Sequence, residues 1–192
     1  MTIKILDVGS SSLEDTAADI EGVFGLAGEE LEITRLDVRK NVKPDIVHDI
    51  TRPLPKQYHG AFDIVVASHV MEHIPRLKVL DTFQNIAECL RIGGEMYVIV
   101  PSMEWVAAEI YYGRVTAVVQ SSLFGGQNHR HDYHKVGYTL EWLRFIMENV
   151  LQMVIRRAYQ APFTILIDDE AHQALQNIVI AMKVEIVEPE DE

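Results

Sequence analysis

Residues 62–75, Phe-Asp-Ile-Val-Val-Ala-Ser-His-Val-Met-Glu-His-Ile-Pro, carry the strongest structural signal in the chain. An apolar run ends abruptly at Ser68 and His69, and a short polar segment follows. This pattern predicts a buried strand whose carboxyl end delivers polar side chains to the edge of a sheet. Ligands of open α/β sheets bind at that edge. The stretch therefore predicts both a parallel sheet and a small-molecule site.

The amino-terminal segment repeats this design. Residues 3–8 are nearly all apolar, and Gly9 is followed by serines at positions 10, 11 and 12. A glycine there lets the backbone approach a ligand, and the amide groups of the turn suit an anionic group. A plain strand-to-helix turn with nothing bound explains the same residues, because the spacing G-x-G-x-x-G is absent.

The remaining elements alternate along the chain. Further strands are predicted at 31–38, 45–48, 62–67, 95–100, 151–159 and 177–186, and helices at 13–26, 77–91, 102–120 and 140–150. Strands alternating with helices predict an α/β fold with a doubly wound, mostly parallel, seven-stranded Rossmann-like sheet. The last two strands lack a long crossover helix between them, which predicts an antiparallel C-terminal strand pair. We expect one domain over residues 1–186 and an acidic, disordered tail over 187–192.

The bulk composition narrows the class of partner. The chain has 192 residues, 48% apolar and 24% charged, and a formal net charge of −12. A negative body repels phosphate backbones, so we expect no nucleic acid partner. No targeting segment and no apolar stretch near the ~20 residues of a membrane span are found, which predicts a cytoplasmic protein without a membrane partner. Cys89 is the single cysteine, so no intrachain disulfide can form.

Two acids follow predicted strands. Asp37 ends the second strand, where a carboxylate can accept hydrogen bonds from both hydroxyls of a ribose. Asp49 ends the third strand and could accept a hydrogen bond from the exocyclic amine of an adenine. Each acid also has a simpler explanation: Asp37 as a solvated strand end, and Asp49 as a cap of the proline-rich loop through its own backbone.

The histidines raise the question of a metal. His69 to His73 match H-x-x-E-H, the inverted zinc-protease signature. That chemistry needs both histidines on one long helix, whereas a strand ends at residue 67 and Pro75 follows closely. We therefore expect no protease and interpret His73 as structural. A second group, His129, His131 and His134 beside Asp132, could bind a metal, contact a substrate or simply be exposed. We expect no metal in this protein.

Taken together, the motifs resemble those of the class I S-adenosylmethionine-dependent methyltransferases, of the small type encoded beside glycan-assembly enzymes. The resemblance is carried by Ile5 to Gly9, by Asp37, by Asp49 to Pro55, by Phe62 to Ile74, by Arg91 to Gly94 and by Phe124 to Gln127. It is good over roughly residues 3–101. One departure is Ser11, at a position that is usually glycine in the family, which predicts a lower cofactor affinity or a slightly reshaped turn.

The resemblance implies a set of roles. S-adenosyl-L-methionine is the implied cofactor, and its binding residues are Asp7, Gly9, Ser10, Ser11, Asp37, Asp49, Ile50 and Ser68. Candidate bases for the acceptor's proton are His69, His129 and His134. Residues 102–138 are the implied lid and substrate loop, with Trp105, Tyr111, Tyr112 and Phe124 as dry walls. The implied acceptor is a small molecule or a glycan, and a homodimer is possible.

Two alternatives compete with this prediction. Ser11 and the lack of an unmistakable catalytic side chain are also compatible with a binding protein that keeps the fold but performs no chemistry. An acid after the second strand also serves nicotinamide cofactors, so an oxidoreductase is a third candidate. The missing third glycine and the loop from Asp49 to Pro55 favour the methyltransferase.

Overall fold

The computed structural model describes residues 2–9, 26, 28–167 and 170–185. The predicted helix at 13–26 falls almost entirely outside these residues, as do Ser10, Ser11 and the predicted acidic tail. The remaining predicted elements and site residues can be compared with the structure.

The described residues form a seven-stranded mixed sheet. Its strands are β1 (Ile3–Val8), β2 (Leu31–Asp37), β3 (Ile46–Val47), β4 (Phe62–Ser68), β5 (Leu90–Pro101), β6 (Val154–Ile167) and β7 (Glu170–Met182), in the spatial order β3-β2-β1-β4-β5-β7-β6. Strands β1 to β5 pair in parallel, and β7 pairs antiparallel with both β5 and β6. This confirms the predicted fold class, including the antiparallel C-terminal pair.

Four α-helices lie in the described part of the chain. They are α1 (Val79–Ala87), α2 (Met103–Tyr111), α3 (Ala117–Phe124) and α4 (Leu140–Phe145), the last continued by a π-helical turn over Ile146–Val150. Short 3₁₀ turns occupy Lys40–Val42, Lys56–Tyr58, Met71–His73 and Arg76–Lys78. Among the described residues, no helix has both the length and the apolar character needed to cross a bilayer.

The central strands of the sheet are buried on both faces. Ile5 and Leu6 are neighbours in β1, yet they belong to two different core clusters. Ile64 and Val65 divide between the same two clusters in β4. Burial on both faces explains why these strands are continuous apolar runs rather than alternating ones.

The strand order places a crevice at the middle of the sheet. From β1 the chain proceeds outward through β2 to β3 and then returns to β4 on the other side of β1. The strand that follows β1 in the chain, β2, and the strand that follows β4, β5, therefore lie on opposite sides of the β1–β4 pair. A crevice at such a topological switch point is where ligands of open α/β sheets bind.

The region around Gly93 and Gly94 differs from the prediction. The predicted helix over 77–91 ends at Ala87, and β5 starts at Leu90, so the two glycines lie within a strand. Gly93 donates a backbone hydrogen bond to Lys183, and Lys183 donates one to Gly94. The Nζ of Lys183 also donates to the carbonyls of Ala87 and Leu90, at 3.0 and 2.8 Å. The C-terminal strand therefore ends the helix, which no local pattern could indicate.

The C-terminal hairpin is also longer than predicted. β6 and β7 extend well past the end of β5, and their tip packs against α2 and α3. The predicted helix over 102–120 is thus two helices, which are separated near Gly113, where φ is +72°. Val106, Val118 and Ala174 form the centre of this separate small core.

Candidate active site

A large cavity of about 500 Å³ lies at the switch point. It opens at the carboxyl ends of β1, β2 and β4. Seven of the predicted site residues line it: Gly9, Asp37, Asp49, Ile50, Ser68, His69 and His129. The volume falls within the ~300–1,000 Å³ of typical small-molecule sites.

Two predicted site residues lie elsewhere. Asp7 is 5% exposed within β1 and is not among the residues lining the cavity. His134 lines a separate, much smaller cavity beside Glu72 and Ser122. The structure therefore places His134 behind the wall of the large cavity rather than inside it.

The turn after β1 is built around Gly9. Its φ is +77°, in the left-handed region that favours glycine. A Cβ at this position would lie 2.6 Å from Cγ2 of Val70, in the segment after β4. Its backbone N–H donates to Leu36 in β2 at 2.7 Å. Gly9 thus holds the carboxyl ends of β1, β2 and β4 together.

Asp37 is already paired with an arginine. The carboxylate is nearly buried, and Arg39 donates to Oδ1 through its backbone N–H at 2.6 Å and to Oδ2 through its guanidinium at 3.1 Å. The same guanidinium lies 3.2 Å from Nε2 of His129 in the loop after α3. Sequence reasoning missed Arg39, although an arginine two residues after a ribose-type acid could have been noticed.

Asp49 caps the loop that follows it. Its Oδ1 accepts hydrogen bonds from the backbone N–H and the hydroxyl of Thr51, at 3.0 and 2.8 Å. Burial raises the pKa of Asp49, but these two hydrogen bonds and the nearby Arg52 lower it by more, so the carboxyl stays ionised. Oδ2 takes no hydrogen bond from a described residue. The carboxylate therefore serves the loop and can still serve a ligand in the cavity.

The backbone at the end of β4 adopts an unusual conformation. His69 has a φ of +50°, which non-glycine residues seldom adopt outside functional or turn positions. Its Nε2 lies 3.0 Å from Oε1 of Gln176 in β7, and its Nδ1 lies 3.3 Å from Oε1 of Glu72. The ring also packs against Phe163, with 5.0 Å between centroids. The C-terminal hairpin therefore fixes the orientation of His69.

Glu72 is the most unusual acid among the described residues. It is 2% exposed, and neither carboxylate oxygen has a hydrogen-bond partner there. Burial raises the pKa of this carboxyl, but His69, His73 and His134 together lower it by more. The H-x-x-E-H pattern pointed to this residue. The segment Met71–His73 is a single 3₁₀ turn, which rules out the long helix of a zinc protease, as the sequence analysis concluded.

The loop between α3 and α4 covers one side of the large cavity. His131, Asp132 and Lys135 line it together with His129. The loop is attached to the end of β4, since Lys135 donates its backbone N–H to the carbonyl of Glu72 at 2.8 Å. Only this part of the predicted lid over 102–138 reaches the cavity.

The predicted aromatic walls are wrong. Tyr111 and Tyr112 are 83% and 64% exposed, and Phe124 is 47% exposed. Trp105 packs against the small core beneath the C-terminal hairpin. None of the four lines the large cavity. The reason is that α2 and α3 cover the long hairpin, whose extent the sequence did not reveal.

Comparison with solved structures identifies the same architecture. A methyltransferase from Methanosarcina mazei, described as S-adenosylmethionine-dependent, is 15% identical with a TM-score of 0.63, over 95% of this chain and 93% of that one. A putative methyltransferase from Bacillus halodurans is 12% identical with a TM-score of 0.61, over 96% of this chain and 94% of that one. The 1,6-didemethyltoxoflavin-N1-methyltransferase of Burkholderia thailandensis is 12% identical with a TM-score of 0.60, over 96% of this chain and 72% of that one. No curated protein matches the chain.

A sheet of this order with a cavity at its switch point has the architecture of the doubly wound α/β proteins, whose ligands bind at the carboxyl ends of the strands. The family comparison narrows this class. A model described as a methyltransferase domain matches residues 4–153, and the chain belongs to that family. This confirms the predicted class I methyltransferase family and favours it over a nicotinamide oxidoreductase.

Proposed function

We propose that this protein transfers the methyl group of S-adenosylmethionine to a small-molecule or glycan-type acceptor. The observation that carries the proposal is the single cavity of about 500 Å³ that brings together Gly9, Asp37, Asp49 and Ser68. These residues come from four different segments: Asp37 and Ser68 end β2 and β4, and Gly9 and Asp49 follow β1 and β3. Volume, polarity and position all suit an adenosyl group.

Different cavity residues bind different parts of the cofactor. Asp37 accepts hydrogen bonds from the ribose hydroxyls, while Asp49 and Ile50 contact the adenine. Gly9 lines the cavity and, having no side chain, lets the backbone approach the ligand closely. S-adenosylmethionine, when bound, supplies a sulfonium methyl that is already activated for displacement. The protein's part is therefore mainly to align the acceptor and to exclude water.

The candidate bases differ in how they are placed. His69 and His129 line the large cavity, so either can reach an acceptor held there. His69 is oriented by Gln176, and His129 contacts Arg39. His134 lies outside this cavity, and burial lowers its pKa. We therefore assign proton acceptance to His69 or His129 and remove His134 from that role.

The acceptor side is formed by the loop after α3. His131, Asp132 and Lys135 give this wall both signs of charge. Such a wall suits a polar acceptor with hydroxyl groups. The structurally similar enzyme from Burkholderia thailandensis was solved with 1,6-didemethyltoxoflavin and S-adenosylhomocysteine, which supports a small-molecule acceptor here.

A binding protein without catalysis is the second candidate, and one observation favours it. Arg39 donates hydrogen bonds to both oxygens of Asp37, so ribose hydroxyls must share or replace these bonds. This competition weakens cofactor binding unless Arg39 moves. Failure to bind the cofactor at millimolar concentration would favour the second candidate.

Calorimetry with S-adenosylhomocysteine tests the proposal. We expect binding by the natural protein and a loss of ~1.5–3 kcal/mol in affinity for Asp37→Ala, the scale of a hydrogen bond to a charged group. Asp45→Ala is the control, because Asp45 also pairs with an arginine, Arg35, at 3.7 Å but does not line the cavity. Equal affinities in the two variants, or tighter binding of NAD, would contradict the proposal.

A further inference from the structure

A compact group of metal-ligand side chains lies next to the large cavity. One potential ligand atom from each of Glu72, His73 and His134 lies within 4.8 Å of the other two. Nε2 of His134 is 4.0 Å from Oε1 of Glu72. The group joins the end of β4 to the loop after α3, so it forms only when the chain is folded.

The carboxylate of Glu72 is the member of this group whose polar atoms are least satisfied. Both of its oxygens are buried without a hydrogen bond from any described residue. His69 Nδ1 lies at ion-pair distance, 3.3 Å from Oε1, so it offsets the charge of Glu72 only when that imidazole is protonated. A buried carboxylate in this state is costly unless a cation neutralises it. A bound metal ion would provide that cation.

The two imidazoles are oriented as metal ligands are. Nδ1 of His73 lies 3.1 Å from the carbonyl of Tyr133, and Nδ1 of His134 lies 2.9 Å from the carbonyl of Ser122. Since a carbonyl can only accept, each neutral ring carries its proton on Nδ1. Nε2 of each ring then keeps its lone pair. A backbone carbonyl on the second nitrogen is the usual support of a metal-binding histidine.

We propose that Glu72, His73 and His134 bind a divalent first-row transition metal, with Zn²⁺ as the reference ion. Two imidazoles and one carboxylate suit this class of ion, whereas Mg²⁺ and Ca²⁺ prefer oxygen ligands. Coordination at about 2.0–2.2 Å requires the ligand atoms to close in by roughly 1 Å, within reach of side-chain rotation. Three protein ligands leave at least one position open for a water or an oxygen of the acceptor.

The open position adjoins the large cavity. His73 lines that cavity, while Glu72 and His134 line the small one behind it. A metal held by all three therefore sits at the boundary between the two. An acceptor hydroxyl reaching this position would be polarised and more easily deprotonated.

The neighbouring histidines of the loop are poorly suited to the same ion. His129 Nε2 lies 3.2 Å from the guanidinium of Arg39, and His131 Nε2 accepts a hydrogen bond from Arg130 at 2.8 Å. Nδ1 of His129 also accepts a hydrogen bond from the backbone N–H of His131 at 3.2 Å, so the lone pairs of both rings are already used, and the neighbouring arginines repel a metal. Burial and Arg130 also lower the pKa of His131. The H-x-H pattern at 129–131 is therefore not the proposed site.

Titration of the chelator-treated full chain with Zn²⁺ tests the inference. We expect one equivalent to bind and Mg²⁺ not to compete. His134→Ala and Glu72→Gln should weaken Zn²⁺ binding by more than the ~10–100-fold that loss of a supporting second-shell residue costs. His131→Ala is the control and should bind Zn²⁺ like the natural protein. Replacing Zn²⁺ by Co²⁺ should give a visible absorption spectrum that both ligand variants lose.

Three outcomes would overturn the inference. They are the absence of Zn²⁺ binding by folded natural protein, unchanged binding in both ligand variants, and loss of binding in His131→Ala alone. Circular dichroism on each variant separates unfolding from ligand loss, and His73→Ala provides a third, less buried ligand variant. The readout is metal binding alone, so it does not depend on the proposed methyl transfer. Absence of S-adenosylhomocysteine binding would contradict only the proposed function.

Discussion

Asp37 and Glu72 are both nearly buried carboxylates, yet their surroundings differ. Asp37 ends β2, and Glu72 lies in the 3₁₀ turn after β4. They are 4% and 2% exposed. Asp37 accepts hydrogen bonds from Arg39 on both oxygens, whereas Glu72 has no hydrogen bond from a described residue. A carboxylate paired with a guanidinium can exchange it for hydroxyl groups. A buried carboxylate whose neighbours are imidazoles rather than a guanidinium has no permanent cation beside it. The first region therefore suits a sugar and the second a metal.

The largest effect is expected where the two regions touch, at Gly9. Gly9→Ala combines an unfavourable left-handed φ with a Cβ 2.6 Å from Cγ2 of Val70, two residues before Glu72. We expect the free energy of unfolding to fall by about 2–4 kcal/mol, from backbone strain and overpacking together. Chemical denaturation measures this loss.

Gly60→Ala is the matched control for Gly9→Ala. Gly60 also has a positive φ, of +64°, but a Cβ there would meet nothing within 4 Å. The free energy of unfolding of Gly60→Ala should fall only by the cost of the backbone strain, about 1 kcal/mol. Similar losses in both variants would show that the two regions are not held together by close contact at Gly9.

The next largest effect is expected from removing the cation that distinguishes Asp37 from Glu72. Arg39→Ala leaves Asp37 buried without its cation, so we expect the ligand-free protein to lose about 1–3 kcal/mol of stability. S-adenosylhomocysteine should bind more tightly to this variant, because the ribose hydroxyls no longer compete with the guanidinium. Denaturation and calorimetry on the same preparation measure the two changes.

Arg144→Ala is the control for Arg39→Ala. Arg144 pairs with Glu148 at 3.7 Å, and both side chains are 44% exposed. A pair of this kind contributes about 0–1 kcal/mol. A weaker affinity in Arg39→Ala would show that Arg39 supports the cofactor rather than competing with it.

The contrast also shows how far sequence could lead. Asp37, Asp49 and Gly9 were predicted because each follows an apolar run, and a parallel sheet brings all such ends to one edge. The fold class followed from the same alternation. These features depend on patterns among residues close together in the chain, and such patterns can be read from a single sequence.

What sequence missed depends on distant contacts. The pairing of Arg39 with Asp37 is local, but its contact with His129 spans 90 residues. Glu72 and His134 meet only because the loop after α3 hydrogen-bonds to the end of β4. The aromatic walls failed for a related reason, since the long hairpin takes α2 and α3 away from the cavity. Spacing along the chain contains no signal for the three long-range arrangements, whereas the Asp37–Arg39 pair could have been noticed.

Asp49 is intermediate between the two carboxylates, because one of its oxygens is satisfied within the loop. Thr51→Val removes the hydroxyl that donates to Oδ1 at 2.8 Å and keeps the side-chain shape. We expect a loss of about 0.5–1.5 kcal/mol in the free energy of unfolding, the net value of one hydrogen bond. Thr164→Val is the control, since its hydroxyl bonds Gln173 on an exposed strand. An equal loss in both variants would mean that Asp49 does not depend on Thr51.

The smallest effect concerns pH and the region around Glu72. Burial lowers the pKa of His134 below its ordinary value of 6.5, although Glu72 opposes this. The unfolded chain therefore binds a proton at higher pH than the folded one. Stability is complete above 6.5 and falls as the pH drops through the lower, folded pKa. The pKa of Glu72 is also lowered, from 4.5, so its contribution is lost only at more acidic pH.

Denaturation with a chelator present at about pH 7.5 and about pH 5.5 isolates the titration of His134 from any metal effect. The natural protein should lose stability between the two conditions, and His134→Gln should lose less. His172→Gln, on the C-terminal hairpin and far from Glu72, should behave like the natural protein. Equal pH dependence in the natural protein and in His134→Gln would mean that His134 is not held neutral. The imidazoles could then neutralise Glu72 themselves, and the contrast with Asp37 would disappear.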